Sequence, residues 1–337
     1  MDYSEHRLSY CEFLISSQIN YTQTYFGERS EKYSHDSINR FLRLDKLTPR
    51  LLWKNVCEDI VESKNGYLIF DDTVLDKRYS KKASLVRRQW SGNQKKVLNG
   101  IGVVTCVYVN PELERFWIVD YRIFDPQGDS QTKLEHMVEM LDAVKQRLFY
   151  KTVLMDTWYA TMKIIKYIES LGKVYYCPIK NNRNVNDDAT KTTHQRVDSL
   201  DWSEEEDKEG KFIHMKKMPK GHQVKLFRLV FSPEHTEFVI TNDLSQIDAD
   251  VVKATSGIRW NIEQFHREAK QVTGIESCQC RLSRALRNHI ACSFLVWNHL
   301  NRLASFTNTT IYQLKFGLLD NYMRQQLKHP SIPMRLC

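Results

Sequence analysis

The order of apolar runs between Gly66 and Lys180 constrains the fold of this chain more than any other feature. Three runs come first, GYLIFDDT, VLNGIGVVTCVYVN and RFWIVDYRIFDP, and their β-branched and aromatic residues are typical of strands. A helical pattern follows, then the run TVLMD, a second helical pattern ending at Gly172, and the run KVYYCPIK. This order predicts three strands followed by helix, strand, helix and strand, which is a mixed sheet covered by helices.

The same succession is the order of the ribonuclease H-like fold, so we predict an α/β fold class with a ribonuclease H-like mixed sheet and flanking helices. Residues 65–180 and 236–280 are expected to form this catalytic domain. Polar stretches followed by alternating runs predict a strand-rich insertion at 181–235. Residues 1–64 and 281–337 carry helical patterns, and we expect helical N- and C-terminal parts.

Local signals predict where individual helices begin. Thr48 is the expected N-cap of a helix with Pro49 at its first position, and Asp129 or Ser130 is the expected cap of the helix after the third strand. The N-terminal helices have two open interpretations, a helix-turn-helix module that binds DNA ends and a structural cap on the next domain. The acids from Glu204 to Asp207 are expected to be solvated, because consecutive residues point in different directions.

Residues 256–270 read SGIRWNIEQFHREAK, and their pattern predicts one amphipathic helix. Each residue of an α-helix turns by about 100°, so Arg259 lies roughly 40° from Glu263 and Lys270 roughly 20° from it. The apolar residues form a separate stripe: Ile258, Ile262, Phe265, Ala269 and Val272. Glu268 lies about 140° from Glu263 and is expected to face away from this charged edge.

Two aspartates precede this helix, each at the end of a predicted strand. Asp72 closes the first run and Asp156 closes TVLMD, so adjacent strand ends would bring them together. Asp71 competes with Asp72 for the first position, and we favour Asp72 because Thr73 follows it. Phosphodiester cleavage is accelerated by two divalent ions about 4 Å apart, and Mg²⁺ prefers oxygen ligands. Three converging acids therefore predict a metal-dependent enzyme that cuts DNA.

With these residues in place, the chain resembles the DDE transposases of bacterial insertion sequences, whose last block reads Tyr-x2-Arg-x3-Glu-x6-Lys. The arginine, glutamate and lysine of that block match Arg259, Glu263 and Lys270, whereas Ser256 stands at the tyrosine position. The Asp-Thr of the first block and the second aspartate match Asp72, Thr73 and Asp156. The resemblance extends from about residue 66 to 290.

The resemblance implies a cut-and-paste transposase in which Asp72, Asp156 and Glu263 are the catalytic and metal-binding acids. They would hold two Mg²⁺ ions, with Mn²⁺ as a substitute. Arg259 and Lys270 would bind phosphates of the transferred DNA end. The implied partners are double-stranded DNA, as terminal inverted repeats and target DNA, and a second copy of the chain in a synaptic homodimer.

A basic strip follows the first predicted strand, where the site would open. We interpret it as a grip on the DNA backbone with one aromatic residue stacked on a distorted base, and its members are Arg87, Arg88, Lys95, Lys96 and Trp90. A solvated hairpin is the alternative interpretation of the same residues.

Composition agrees with a DNA partner and excludes a membrane protein. The formal net charge is +8, which suits a polyanion without requiring one. The longest apolar runs are too short to span a bilayer, so no membrane association is expected, and a cytoplasmic, nucleoid-associated bacterial protein is predicted. Most of the eight cysteines sit singly in apolar runs, and we expect them to be reduced. Two other functions stay open: a repair or junction nuclease of the same fold, and a DNA-binding protein with decayed catalysis.

Overall fold

A computed structural model of the chain describes residues 2–80, 82–92, 94–187, 193–219 and 221–332. The chain forms two compact units. The first unit comprises described residues within 1–59, 73–103 and 265–337, and the second unit those within 60–72 and 104–264. Parts of the predicted insertion and of the predicted C-terminal part lie outside the described residues, namely 188–192, 220 and 333–337.

The described residues include eleven strands, which are mostly short apolar segments. Their bounds are β1 (Tyr67–Asp76), β2 (Arg87–Ser91), β3 (Lys96–Asn110), β4 (Arg115–Ile123), β5 (Thr152–Met155), β6 (Val174–Ile179), β7 (Asn184–Asn186), β8 (Gln195–Arg196), β9 (Lys211–Met215), β10 (Val224–Ser232) and β11 (His235–Thr241).

The helices of the described residues fall before, between and after these strands. Their bounds are α1 (Ser4–Ser16), α2 (Gln23–Gly27), α3 (His35–Leu44), α4 (Pro49–Val56), α5 (Lys133–Val144), α6 (Met162–Ser170), α7 (Glu204–Glu209), α8 (Ala249–Gly257), α9 (Trp260–Val272), α10 (Ser283–Thr307), α11 (Ile311–Gly317) and α12 (Asp320–Lys328). A short 3-10 helix covers Val197–Ser199.

The second unit contains a mixed sheet with the strand order β4-β3-β1-β5-β6-β11-β10-β9-β7-β8. Strands β1, β5 and β6 are parallel neighbours, whereas β11 runs antiparallel to both β6 and β10. The order β4-β3-β1-β5-β6 confirms the predicted ribonuclease H-like arrangement. Strand β10, which was predicted inside the insertion, lies in this same sheet beside β11.

Helices α5, α6 and α8 cover this sheet. Helix α5 packs on β4, α6 on β6, and α8 on β6 and β10. The predicted cap of α5 at Asp129 or Ser130 was wrong. Thr132 caps this helix instead, because its hydroxyl accepts from the Glu135 amide while the Glu135 side chain accepts from the Thr132 amide. Gly172 adopts a φ of 66° just after α6, as expected for a glycine that ends a helix.

The acidic run inside the insertion is a short capped helix rather than a purely solvated segment. Ser203 and Glu206 form a capping box at the start of α7. Glu206 lies 2.8 Å from the Lys211 ammonium, and Asp207 accepts 2.9 Å and 2.5 Å hydrogen bonds from the Arg228 guanidinium. Glu204 and Glu205 are exposed as predicted, whereas Glu206 and Asp207 are partly exposed and form ion pairs, because strands β9 and β10 place basic residues beside them.

In the first unit, the N-terminal helices pack around the long helix α10. Helices α1, α3 and α4 all contact α10, which confirms the helical prediction for both chain ends. Asn288 of α10 is fully buried, accepts from the Leu47 amide and donates to the carbonyls of Leu42 and Asp45. Thr48 makes no side-chain capping bond, although α4 begins at Pro49 as predicted.

The cysteines among the described residues are free thiols, in agreement with the prediction, and Cys337 lies outside the described residues. Within the same residues, no helix combines the length and the apolar character that a membrane span requires.

The first unit also contains the basic strip, which lies on a hairpin, the structure named in the alternative interpretation of these residues. Strand β2 pairs antiparallel with β3, from Arg87 opposite Gly100 to Ser91 opposite Lys96. Strand β1 likewise continues beyond its predicted end at Asp72 to Asp76. The β-branched Thr73 and Val74 favour an extended backbone, which explains the longer strand.

The predicted single helix over residues 256–270 is interrupted. Helix α8 ends at Gly257, α9 begins at Trp260, and Arg259 lies in the turn between them. Hydrogen bonds in this turn join residues three positions apart instead of the four of an α-helix. The Ile258 amide donates to the Thr255 carbonyl, and the Arg259 amide donates to the Ser256 carbonyl. Glycine is a poor helix former, which favours a break at this point. The predicted apolar stripe of α9 is buried, namely Ile262, Phe265, Ala269 and Val272, whereas Ile258 before the helix is only half-buried.

Candidate active site

Three acidic residues of the second unit lie at one end of the parallel strands. The β1–β5 ladder ends with Phe70 paired to Met155, and the next residues along the two strands are Asp71 and Asp156. Asp72 follows Asp71 on β1. Because parallel neighbours share a direction, both chains deliver their acids to the same region. Asp156 directly follows β5, in agreement with its predicted position at the end of a strand.

Arg259 links an acid of the sheet to the acid of the helix. Its Nη1 lies 3.3 Å from Asp156 Oδ1 and 3.7 Å from Glu263 Oε1. Its Nη2 lies 4.0 Å from Glu237 Oε1 on β11. The Arg259 side chain is 20% exposed, while those of Asp156 and Glu263 are about twice as exposed, at 41% and 40%. One mostly buried guanidinium therefore lies within 4.0 Å of carboxylates from three separate parts of the chain and offsets part of their negative charge.

Asp72 is held by a second set of partners. Lys133, the first residue of α5, places its ammonium 2.5 Å from Asp72 Oδ2. The Tyr159 hydroxyl donates to Asp72 Oδ1 over 3.1 Å. Burial raises the pKa of Tyr159 well above its usual value, and the charges of Asp72, Asp71 and Asp156 raise it further. Tyr159 is therefore a neutral donor to Asp72.

Asp71 is the acid whose ionisation the site perturbs most clearly. Desolvation raises the pKa of Asp71 well above its usual value, the nearby charges of Asp72 and Asp156 add to this, and Arg259 opposes it. The Asp72 amide donates to Asp71 Oδ1 over 2.8 Å. Asp71 thus lies within the electrostatic reach of Asp156 and Arg259, and the choice between Asp71 and Asp72 as the first acid stays open.

The donor chemistry of this site suits a hard divalent cation. Its acids, Asp71, Asp72, Asp156 and Glu263, offer only carboxylate oxygens, which Mg²⁺ prefers. Within the described part of the chain, no three or more His, Cys, Asp or Glu side chains converge closely enough to hold a metal ion. In this arrangement Arg259 and Lys133 supply the positive charge that balances the acids.

The other predicted site residues lie in the first unit. The Lys270 ammonium donates to the Val74 carbonyl over 2.9 Å and lies 3.7 Å from Glu276. Burial lowers the pKa of Lys270, and the charge of Glu276 opposes this. Glu268 is buried and accepts from the Trp297 indole over 2.9 Å, so it has a structural role in its own unit.

The basic strip is a polar surface on the β2–β3 hairpin. Arg88, Lys95 and Lys96 are exposed, and Trp90 is 60% exposed. Arg87 is half-buried and alternates with Arg88 across the strand. Lys95 adopts a φ of 47° in the turn, where its amide donates to the Gly92 carbonyl. The strip thus presents three cations and one indole ring to solvent.

Sequence reasoning missed two side chains that contact Asp72, those of Tyr159 and Lys133, and one that contacts Arg259, that of Glu237. Tyr159 is fully buried, and its hydroxyl donates to Asp72. Lys133 lies 61 positions from Asp72, and Glu237 had no pattern that distinguished it. Tyr159 lies three residues after Asp156 in the block LMDTWYA, and this proximity was the only local signal.

Together these features define a class of protein. A ribonuclease H-like sheet carries aspartates on β1 and after β5, and a following helix adds a glutamate beside an arginine. This is the arrangement of a DDE-type enzyme.

The comparisons with known proteins identify the family. The family model described as "Transposase DDE domain" matches residues 65–299, which is more than half of the chain. The chain belongs to the transposase DDE domain family, and the predicted family is confirmed. A comparison with curated proteins found no match.

Two solved structures match this chain at low sequence identity. One is a piggyBac transposase synaptic complex with hairpin DNA, at 13% identity and a TM-score of 0.46, covering 98% of this chain and 74% of that chain. The other is an endonuclease V from Bacillus subtilis, at 12% identity and a TM-score of 0.26, covering 76% of this chain and 91% of that chain. Both TM-scores are low, so the family assignment rests on the family model.

Proposed function

We propose that this protein cleaves the ends of its own mobile element and joins them to target DNA in a metal-dependent, cut-and-paste reaction. The observation that carries the proposal is the contact of one guanidinium, that of Arg259, with both Asp156 and Glu263. These acids are separated by more than a hundred positions and come from a strand end and a helix. Their meeting is expected if the family's acidic residues act together.

In this proposal the catalytic acids are Asp72, Asp156 and Glu263, and they would hold two Mg²⁺ ions or, as a substitute, Mn²⁺. Bound divalent ions activate the attacking oxygen and neutralise the leaving oxygen of a phosphodiester. Arg259 and Lys133 would have to release the carboxylates for the acids to bind cations. Asp71 is the alternative first acid, because it directly follows Phe70, the last residue of β1 that pairs with β5.

The cations of the chain would bind the DNA. Arg259, once released from the acids, can offer a bidentate guanidinium to a phosphate, and Lys270 can offer a point charge. The exposed cations of the β2–β3 hairpin would grip the backbone of the terminal inverted repeats, with Trp90 stacked on a distorted base. A homodimer would hold two element ends in one synaptic complex.

Two other functions make different predictions. A repair or junction nuclease would cut branched or damaged DNA in preference to the ends of an element. A DNA-binding protein with decayed catalysis would bind DNA and cut none of these substrates. The contact of Asp156 and Glu263 with the one guanidinium of Arg259 favours catalysis over decay.

The test compares wild type with Glu263→Gln on a plasmid that carries the DNA flanking this reading frame. We expect Mg²⁺-dependent strand cutting by wild type, supported also by Mn²⁺ and abolished by EDTA. The variant should keep DNA binding and lose cleavage by about a hundredfold or more, because a ligand charge is removed with little change in volume. Glu205→Gln, an exposed glutamate on α7, is the matched control.

Two further variants resolve the first acid in the same assay. Of Asp71→Asn and Asp72→Asn, the one that removes a metal ligand should abolish cleavage and the other should retain part of it. Cleavage retained by Glu263→Gln would overturn the assignment of that residue, and wild-type binding without any cutting would support the decayed protein.

A further inference from the structure

The first unit contains a pocket that the proposed catalytic site does not use. It has a volume of about 690 Å³, which lies within the range of small-ligand sites. One wall consists of Asp76 at the end of β1, the next residues Lys77 to Ser80, and Lys82, and the other wall lies in the segment after α9, from Glu276 to Arg281. The pocket is therefore large enough for a nucleotide and is open to solvent on the side of these two segments.

Buried hydrogen bonds fix the two walls to each other. Lys77 is 7% exposed, and its ammonium donates 2.6 Å bonds to the carbonyls of both Glu276 and Cys278. The Asp76 amide donates to Glu276 Oε1 over 2.8 Å. At the far end, the amide and hydroxyl of Ser84 both donate to the Arg281 carbonyl over 2.9 Å. The walls are thus preorganised before any ligand binds.

The charges of the pocket favour an anion. Its two acids already have partners, since Asp76 pairs with Arg78 and Glu276 with Lys270. Lys82 and Arg281 are exposed lining residues that form no ion pair with any described residue. Two unpaired cations on opposite walls can therefore bind a phosphate without first breaking an existing pair.

Tyr79 adds an aromatic surface to the same pocket. Its side chain is 93% exposed, so almost the whole ring is available for a contact. Base stacking on such a ring is independent of sequence but needs a base that is not held in a duplex. The neighbouring Arg78 also donates to Gln94 Oε1 over 2.9 Å, which joins this pocket to the basic hairpin of the same unit.

We propose that this pocket binds one unpaired nucleotide of a DNA strand. Lys82 and Arg281 bind its phosphate, and its base stacks on Tyr79. The pocket would then select a strand end that has separated from its complement over an intact duplex. This inference rests on the proposed function only in taking DNA as the polymer, because binding of an unpaired nucleotide requires no catalysis.

The test measures binding of the full-length chain in EDTA to a short oligonucleotide that carries 2-aminopurine in a single-stranded overhang. Wild type should bind it and quench its fluorescence, because the base stacks on the tyrosine ring. Tyr79→Ala should weaken binding roughly tenfold and abolish the quenching, while Tyr79→Phe should retain both. Replacing Lys82 and Arg281 together by glutamine should weaken binding by a similar factor and reduce its dependence on salt.

Two controls separate this site from general electrostatic attraction and from misfolding. A blunt duplex of the same sequence should lose less than twofold in affinity with Tyr79→Ala. Tyr322→Ala, which removes a 56% exposed tyrosine of α12, should behave as wild type on both DNAs. Equal affinity and equal quenching for wild type and Tyr79→Ala would overturn the proposal, as would an equal loss on the blunt duplex. Absence of strand cutting in the plasmid assay would overturn the proposed function and leave this result unaffected.

Discussion

Replacing Arg259 by glutamine should convert the acidic site into a source of instability that divalent ions relieve. The guanidinium lies within 4.0 Å of three carboxylates, those of Asp156, Glu263 and Glu237. Without it, these acids and the nearby Asp71 repel one another across a partly buried region. The same loss of positive charge should make the carboxylates more available to a divalent cation.

The magnitude follows from the distances and the exposure. Opposite unit charges about 4 Å apart attract by about 4 kcal/mol at an effective dielectric constant near 20. The Asp156 and Glu263 side chains are 41% and 40% exposed, so solvent reduces each pair towards the ~0.2–1 kcal/mol measured for surface pairs. With three carboxylates involved, we expect Arg259→Gln to lower the free energy of unfolding by about 1–3 kcal/mol in EDTA.

Urea unfolding in EDTA and in saturating Mg²⁺ measures both effects. Cations that bind only the folded state stabilise it by mass action, so Mg²⁺ should stabilise Arg259→Gln more than wild type. Arg302→Gln is the matched control. Arg302 lies 3.6 Å from the Asp59 carboxylate, and both residues belong to the first unit, whereas the acids around Arg259 belong to the second. Equal stability of wild type and Arg259→Gln in EDTA, with equal gains in Mg²⁺, would refute the idea that this arginine balances a group of metal-binding acids.

Two further predictions concern the first unit. Lys315 is fully buried and donates to the carbonyls of Leu14, Ile15 and Ser17, so Lys315→Met should cost about 3 kcal/mol in urea unfolding at pH 7. Burial lowers the pKa of Lys315 from 10.5 to about 8. Between pH 8 and pH 10.5 the unfolded chain therefore binds more protons than the folded chain, so the free energy of unfolding of wild type should rise with pH in this range. Lys315→Met should lack this part of the rise. The hairpin is tested by replacing its four basic residues by glutamine, namely Arg87, Arg88, Lys95 and Lys96. The slope of the logarithm of the duplex-binding constant against the logarithm of the salt concentration should become shallower by up to about 0.9 for each lost phosphate contact. An unchanged slope would place the hairpin outside the DNA interface.

Much of the sheet was predictable because its signals are local. The apolar runs of β1, β5 and β6 and the helical patterns of α5 and α6 lie where the sequence predicts them. The errors came from competing local signals. Thr132 rather than Asp129 caps α5 because only Thr132 has a glutamate three residues later, and β2 was missed because its cations conceal a short strand. The domain boundaries, the DNA contacts and the metal-binding roles stay predictions.

The sequence alone indicated the succession of strands and helices in the sheet, the candidate acids and the family, because strand ends, helix periodicity and motif spacing are features of neighbouring residues. Only the tertiary structure decided what surrounds those acids. Lys133 and Tyr159 reach Asp72 from 61 and 87 positions away, and Arg259 reaches Asp156 from 103. Electrostatic energy depends on distance in space and on burial. Neither quantity can be obtained from spacing along the chain, so the partners that hold this site were visible only once the chain was folded.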